Sequence, residues 1–501
     1  MRKILLGTTA VVGAALLAPE MAAAQEAPTV RIGGYFRAYY GYTQQTSPNV
    51  TGNVGGTVAN GNITGGTSTF QAQNVGDTGL AGTSTLTTTA NTTGSTAGAT
   101  STLAQGLPNN GTNASAAQSA RTGKHDFSTD AEIHVFVNGK TANGLTYGAV
   151  VELQFDNNEG TYRAARRSYS SKTGADIDEM YAFIASPTLG QLRFGDEDGP
   201  FGGLMNAGYI TNFGSGGVYG DWQDFVIRPN RTTTSPGDMG DNTKIIYLSP
   251  QFFGFDFGAS WAWNEGMGGD TGCVSSFAGP YCDRAYASQG VTAFGRATDN
   301  LPGRRNELQA MARWRGNIGP VGFAIAGGTM QAQAVRDITV QGTQARTMKD
   351  PQMYQVGAQA TAFGFTIGGA FQWGNTNFFY IPNVRGDQDQ QQIFVGASYT
   401  AGPFTIGANS FWGNYAGTAG SSFNTTTGAF TRNANASVNG QRRNAWSVGA
   451  NYRLAPGLDL VGEWVRHTIH ERGFDLDGQA SNGINDKLRA NVFLVGTRLA
   501  F

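Results

Sequence analysis

The stretch Phe255-Asp-Phe-Gly-Ala-Ser-Trp-Ala-Trp263 decides the fold. Its odd positions, Phe255, Phe257, Ala259, Trp261 and Trp263, are apolar, and its even positions, Asp256, Gly258, Ser260 and Ala262, are small or polar. Successive side chains on a strand point to opposite sides, so this alternation predicts a strand with one apolar and one small or polar face. Phe365 to Trp373, Phe404 to Trp412 and Trp446 to Leu454 repeat it. Working outward, sixteen strands are expected near 30–42, 128–138, 145–155, 177–185, 191–195, 243–249, 255–263, 304–315, 321–327, 352–360, 365–373, 391–399, 404–412, 443–454, 458–467 and 487–501. Short turns such as Ser249-Pro-Gln-Phe-Phe-Gly254, Thr361-Ala-Phe-Gly364 and Ala455-Pro-Gly457 alternate with long polar connections near 43–126, 156–175, 196–242, 264–303, 328–350, 375–390, 413–441 and 468–486. A Gly/Pro/Asn turn between two alternating runs is a hairpin signal.

Sixteen strands with short turns at one end and long loops at the other describe an all-β antiparallel barrel. The polar face then decides where the barrel sits. Gly, Ser, Thr, Gln, Asn, Arg and Glu cannot fill so wide a cylinder as a dry core, but they can line a water-filled lumen while the other face meets lipid. A membrane requires closure, because every backbone donor there must be paired. Aromatics ending the apolar faces, among them Tyr40, Trp261, Trp373, Trp412, Trp464 and Phe501, suit interfacial girdles. The predicted fold is a transmembrane β-barrel. Glycines on the inward faces, such as Gly148, Gly258, Gly368 and Gly407, are expected to leave room for water.

Composition agrees with this reading. The chain has 501 residues, 73 of them Gly, and only 14% are charged, which fits a belt facing lipid. Its 34 basic and 35 acidic residues exclude the basic excess of a nucleic-acid-binding protein. Residues 1–24 read as a signal peptide: Arg2 and Lys3 precede an apolar run, and Ala22-Ala23-Ala24 supplies the cleavage site. The mature chain, 25–501, then forms one barrel. From Thr43 to Ala120 the sequence is rich in Thr, Gly, Asn and Ser with Asp77 its one charge, a composition that cannot build a core. Within the 43–126 connection it is expected to form a long first extracellular loop.

Three segments resemble the general diffusion porins of Gram-negative bacteria, in their alphaproteobacterial style. They are Val30-Arg-Ile-Gly-Gly-Tyr-Phe-Arg37, Gly190-Gln-Leu-Arg-Phe-Gly-Asp-Glu197 before the long third loop, and the C-terminal Asn491-Val-Phe-Leu-Val-Gly-Thr-Arg-Leu-Ala-Phe501. The resemblance covers about 25–42 and 127–501, and leaves out the first loop. It implies an outer-membrane homotrimer of sixteen-stranded barrels that passes ions and small hydrophilic solutes passively. It also implies a third loop, 196–242, folded into the pore, and handling of the strand ending in Phe501 by the outer-membrane insertion machinery. Membrane lipid and lipopolysaccharide are the expected surroundings.

Carried onto this chain, the constriction should pair an acidic loop with a basic wall. The third loop holds Asp196, Glu197, Asp198, Asp221 and Asp224, with Asp238 and Asp241. Strand parity points Arg31, Arg37, Arg193, Arg313 and Arg315 inward, where they avoid the roughly 2–4 kcal/mol that an arginine costs in hydrocarbon. Arg37, Arg193 and Arg313 are the expected wall of the constriction. Glu132, His134, Glu152 and Glu463 are further lumen candidates. Such a site ranks solutes by size and field and needs no cofactor. The acidic loops offer oxygen ligands for a structural calcium ion, without EF-hand spacing. Cys273 and Cys282 share one polar loop of an exported chain, so a local disulfide is expected, with two free thiols as the alternative. An enzyme is the weaker reading: the chain's histidines, His125, His134, His467 and His470, accompany no serine in a nucleophile-elbow context. A substrate-specific channel and an adhesin with an occluded pore remain as other readings of the same barrel.

Overall fold

The computed structural model describes residues 26–46, 124–157, 174–226, 241–264, 304–334, 349–377, 381–383, 387–417, 440–472 and 486–501. It also describes short ribbon pieces in the long loops, at 49–51, 57–59, 62–64, 68–69, 85–86, 119–121, 337–340, 343–346, 421–423 and 430–432. The signal-peptide reading, most of the first loop, Asp238, Cys273 and Cys282 lie outside the described residues.

Sixteen strands close into one antiparallel barrel. They are β1 Glu26–Gln45, β2 His125–Lys140, β3 Thr146–Asn157, β4 Gly174–Ser186, β5 Gly190–Asp196, β6 Thr243–Leu248, β7 Phe255–Ala262 and β8 Arg304–Ile318. The second half is β9 Val321–Ala334, β10 Gln352–Ala362, β11 Phe365–Gly374, β12 Gln390–Ala401, β13 Phe404–Tyr415, β14 Gln441–Ala455, β15 Leu458–Glu471 and β16 Lys487–Ala500. Each matches one strand expected from the alternation; most ends shift by up to four residues, and β9 runs seven residues past the expected 327 into the connection expected at 328–350. Neighbours in sequence are neighbours in the sheet, as hairpins require, and β1 pairs with β16 from Tyr35↔Ala500 to Gln45↔Ala490 to close the cylinder. The last residue completes the seam: the Phe501 carbonyl accepts from the Gly34 N–H at 3.0 Å, and its own N–H donates back to the Gly34 carbonyl at 3.1 Å.

The side-chain parity is as the sequence predicts. On β7, Phe255, Phe257 and Trp261 are exposed to the outside, and Asp256, Gly258, Ser260 and Ala262 are buried on the lumen side. Outward aromatics gather at both ends of the belt. Trp261 with Trp263 and Tyr354 with Trp373 pair near the long-loop end, while Phe404 with Tyr452 and Phe365 with Tyr399 pair near the short turns. Such rings are amphipathic enough to sit at the two membrane–water boundaries. No described helix is long and apolar enough to cross a membrane; the strands do that.

The inner face departs from expectation in two places. On β15 and β16 it is partly apolar: Val461, Val465, Ile469, Val492 and Leu494 point inward and are buried beside Glu463 and His467. The inward glycines, expected to make room for water, make room for protein. Gly148 lies under the Phe183 ring, and Gly258, Gly368 and Gly407 lie under the third loop, against Met205, Gly208 and Phe213 respectively.

Candidate functional site

The third loop enters the barrel after β5 and follows the inner wall. It contains a wide turn at Pro200–Leu204 and two tight turns, Gly217–Tyr219 and Asp221–Phe225. Its described part runs past β7 to β16 and β1, and reaches β2 at Ser128. Two kinds of inward residue dictate this path. The first is a track of glycines, one on β7 and one on each strand from β10 to β14: Gly258, Gly357, Gly368, Gly396, Gly407 and Gly449 each lie within contact of the loop. A Cβ on Gly357 would lie 2.0 Å from the Ala207 carbonyl, and one on Gly407 would lie 2.1 Å from the Phe213 ring. Only a missing side chain lets backbone approach backbone this closely.

The second kind is a set of amide and acid side chains that pair the loop's own backbone. Gln309 accepts from the Phe201 N–H at 3.1 Å, and Gln359 accepts from the Gly208 N–H at 3.2 Å. Asn409 accepts from the Val218 N–H and donates to the Ile210 carbonyl, both at 2.9 Å. Glu463 accepts from the Ser215 N–H at 2.7 Å and from its hydroxyl at 2.5 Å. A buried loop must satisfy its backbone somehow, and here the wall supplies the partners. Gly208 and Gly214 also hold positive φ angles of 91° and 59°, which β-carbon-bearing residues rarely adopt.

Apolar anchors complete the docking. Trp222 is 0% exposed and packs with Phe225 against Tyr39, Val461, Val465, Val492 and Leu494. This explains the apolar inner residues Val461, Val465, Val492 and Leu494: the loop covers them. Phe201 and Met205 pack on Met311, Met330 and Met353, and Ile210 and Tyr219 pack on Phe394 and Phe411. Replacing Asn409 with Ala strips partners from the Val218 N–H and the Ile210 carbonyl at about 1–3 kcal/mol for each buried group left unpaired. Faster amide hydrogen exchange over 210–218 with unchanged exchange in β13 is the expected result.

The charged residues fall into three groups. At the β1–β2 wall, Arg37 is 3% exposed and bonds Asp130 and, at 3.1 Å, Asp221 of the loop. Its guanidinium also donates to the Tyr35 hydroxyl at 2.7 Å and lies 4.3 Å from that ring's centre. Asp224 follows on the same side and accepts from the Ser128 hydroxyl at 2.8 Å. At the root of the loop, Arg193 bonds Glu197 at 2.7 Å over the Tyr181 ring, Asp196 accepts from Thr243, and Lys244 donates to the Glu197 carbonyl. Asp198 lies there with Glu179 and Asp241. On β7 and β8, Arg313 bonds Asp256 at 2.6 Å and Arg315 bonds the same carboxylate at 3.0 Å.

Arg37 and Asp221 therefore meet across the loop–wall boundary, and Arg193 meets Glu197 at the loop's base. Arg313 sits under the loop, donating to the Leu204 carbonyl at 3.4 Å. Arg31 stands toward the short-turn mouth, exposed, 4.7 Å from the Phe136 ring centre. Asp130, Asp256 and the amide clamps were not singled out from sequence. The visible signal for the clamps is the row of inward glycines on strand after strand, which marks where a second layer of chain must lie.

A closed barrel whose polar interior is partly filled by one of its own loops has the architecture of a membrane channel. The chain belongs to the Gram-negative porin family, whose model matches residues 7–468. It is accordingly an integral outer-membrane protein that forms a diffusion channel, and the family points to a channel rather than an enzyme. Similar solved structures include an anion-selective porin from Comamonas acidovorans, at 12% identity and TM-score 0.46, covering 95% of this chain and 100% of that one. Another is a loop L8 deletion mutant of OmpT, an outer-membrane protein of Vibrio cholerae, at 12% identity and TM-score 0.45, covering 95% and 99%. A mutant of the Rh. blastica porin is similar at 13% identity and TM-score 0.42, covering 94% and 100%. No curated protein matches the chain.

Proposed function

We propose that the channel passes ions and small hydrophilic solutes with a mild preference for cations, set where the third loop narrows the lumen. The constriction in this reading is formed by Asp196, Glu197, Asp198, Asp221 and Asp224 with Arg37, Arg193 and Arg313, while Arg31 and Arg315 belong to the short-turn mouth. The observation that carries it is the charge balance at the β1–β3 wall. There Asp130 and Asp221 share Arg37, Asp224 is held by a hydroxyl, and Glu132 and Glu152 flank His134. Excess negative charge beside a narrow aqueous path raises the local cation concentration and lowers that of anions.

Asp224 makes this preference depend on pH. Its side chain keeps an open edge on the lumen, yet loop and wall withdraw it from bulk water and, with Asp221 beside it, push its pKa up to about 6. A raised carboxyl is ionised above that value and neutral below it. Reversal potentials in a salt gradient are therefore expected to lose cation preference between about pH 7.5 and about pH 5. A preference constant over that interval contradicts the assignment of Asp224.

The protein is further read as a homotrimer carrying its apolar belt in lipid, with lipopolysaccharide at the long-loop rim. The strand ending in Phe501 is the segment offered to the insertion machinery. Family resemblance supports these assignments, and the native mass of the detergent-extracted protein tests the first. A local Cys273–Cys282 disulfide in the long connection between β7 and β8 is proposed with them; mass spectrometry before and after reduction tests it.

A further inference from the structure

Below the Arg37 group, β2 and β3 carry a second cluster. Asp130, Glu132 and His134 alternate inward along β2, so each step moves about 6–7 Å toward the short-turn mouth. Glu152 of β3 stands directly opposite His134 in the register. The imidazole Nε2 lies 2.7 Å from Glu132 Oε1, and Nδ1 lies 3.5 Å from Glu152 Oε1. One ligand atom from each of the three residues falls within 4.8 Å of the other two. The second oxygen of Glu132 is taken by the Tyr35 hydroxyl at 2.7 Å, which fixes that carboxylate against β1.

We propose that Glu132, His134 and Glu152 form a binding site for a divalent transition-metal ion, Zn2+ being the type, on the lumen wall; this rests on the channel reading. Three points lead there. Two carboxylates held this close repel one another unless a proton or cation sits between them. One imidazole with two carboxylates is a donor set that favours zinc and its neighbours over calcium or magnesium, which prefer all-oxygen shells. The spacing also fits: one ligand atom from each residue lies within 4.8 Å of the other two, so one imidazole nitrogen and the two carboxylates can turn onto a shared ion with bonds near 2 Å. Three protein ligands leave a fourth position for water. His134 is 23% exposed, so an ion in the lumen can reach it. The other charges around the cluster are Arg37 and Asp130 above it, paired with each other, and Glu179 with the Arg193–Glu197 pair across Tyr181 beside Glu152.

An ion held there adds positive charge to the conduction path, so Zn2+ should lower cation conductance at concentrations where Mg2+ does nothing. The experiment uses the purified full-length protein in planar bilayers, with Zn2+ or Mg2+ added, and equilibrium dialysis of the same preparation against Zn2+. Wild type should bind Zn2+ and lose conductance, and both His134→Ala and Glu152→Gln should need at least about tenfold more Zn2+ for the same effect. His125→Ala and His470→Ala, which alter histidines on other parts of the barrel, should respond as wild type. Equal Zn2+ sensitivity in wild type and both cluster variants, or a Mg2+ effect equal to that of Zn2+, overturns the proposal. Absence of any conductance refutes the channel reading instead, and dialysis still decides the site.

Discussion

Replacing Gly407 with Leu should release the third loop from the β13–β14 wall and raise single-channel conductance. Gly407 faces inward beneath Phe213, which is 0% exposed, and even a Cβ would fall 2.1 Å from that ring. The glycine is a backbone-level recess, so the leucine has no space to adjust into. Phe213 must leave, and its neighbours go with it: the Gly214 N–H donates to Asn451 and Ser215 to Glu463. Expelling a buried aromatic costs about 3–5 kcal/mol. The barrel strands keep their pairing, so the cost falls on loop docking rather than on the cylinder. Larger, noisier steps and faster uptake of larger sugars in liposome swelling are expected. Gly462→Leu is the matched control, because nothing lies within 4 Å of a Cβ at Gly462. Equal conductance in both variants would mean that the loop does not narrow the pore.

The second large effect concerns charge. Asp221→Asn together with Asp224→Asn removes two carboxylates from the loop and leaves Arg37 with Asp130 as its acidic partner. A unit charge about 4 Å from an ion in water is worth about 1 kcal/mol, so each lost carboxylate changes cation and anion occupancy by about fivefold in opposite senses and shifts their ratio by about 25-fold at most. Screening at physiological salt reduces that figure and should make the shift larger at low ionic strength. Reversal potentials should move toward anions in the double variant. A shift in the opposite sense, or none at low salt, contradicts the proposed role of these residues.

How far the fold could be read in advance follows from the chemistry of a barrel wall. Lipid on one side forces Phe255, Phe257 and Trp261 into strict alternation with Asp256, Gly258 and Ser260, and hairpins fix the strand order, so topology is written in local pattern. The turns were legible for the same reason: each carries Gly, Pro or Asn between two alternating runs. The course of the third loop was less so. Its contacts are long-range, such as Ser215 to Glu463 and Phe225 over Gly41, and no local period encodes them. An inward glycine reads the same whether water or a loop lies over it, so alternation alone cannot tell that Gly258, Gly368 and Gly407 face the loop rather than water. The apolar inner residues Val492 and Leu494 were the clue to the loop: a strand apolar on both faces must have protein against the inner one. Inward arginines were found by parity alone, but parity gives direction and not depth. It could not distinguish Arg37, at the loop, from Arg31, at the mouth.

In the proposed channel the third loop lies inside the barrel and leaves an acid-dominated path. Planar-bilayer recording of the purified, unmodified protein in a potassium chloride gradient near neutral pH tests it most directly. Stepwise single-channel currents with a reversal potential on the cation-preferring side are the predicted result. A protein that inserts but passes no current, or one with a strong anion preference, would contradict it.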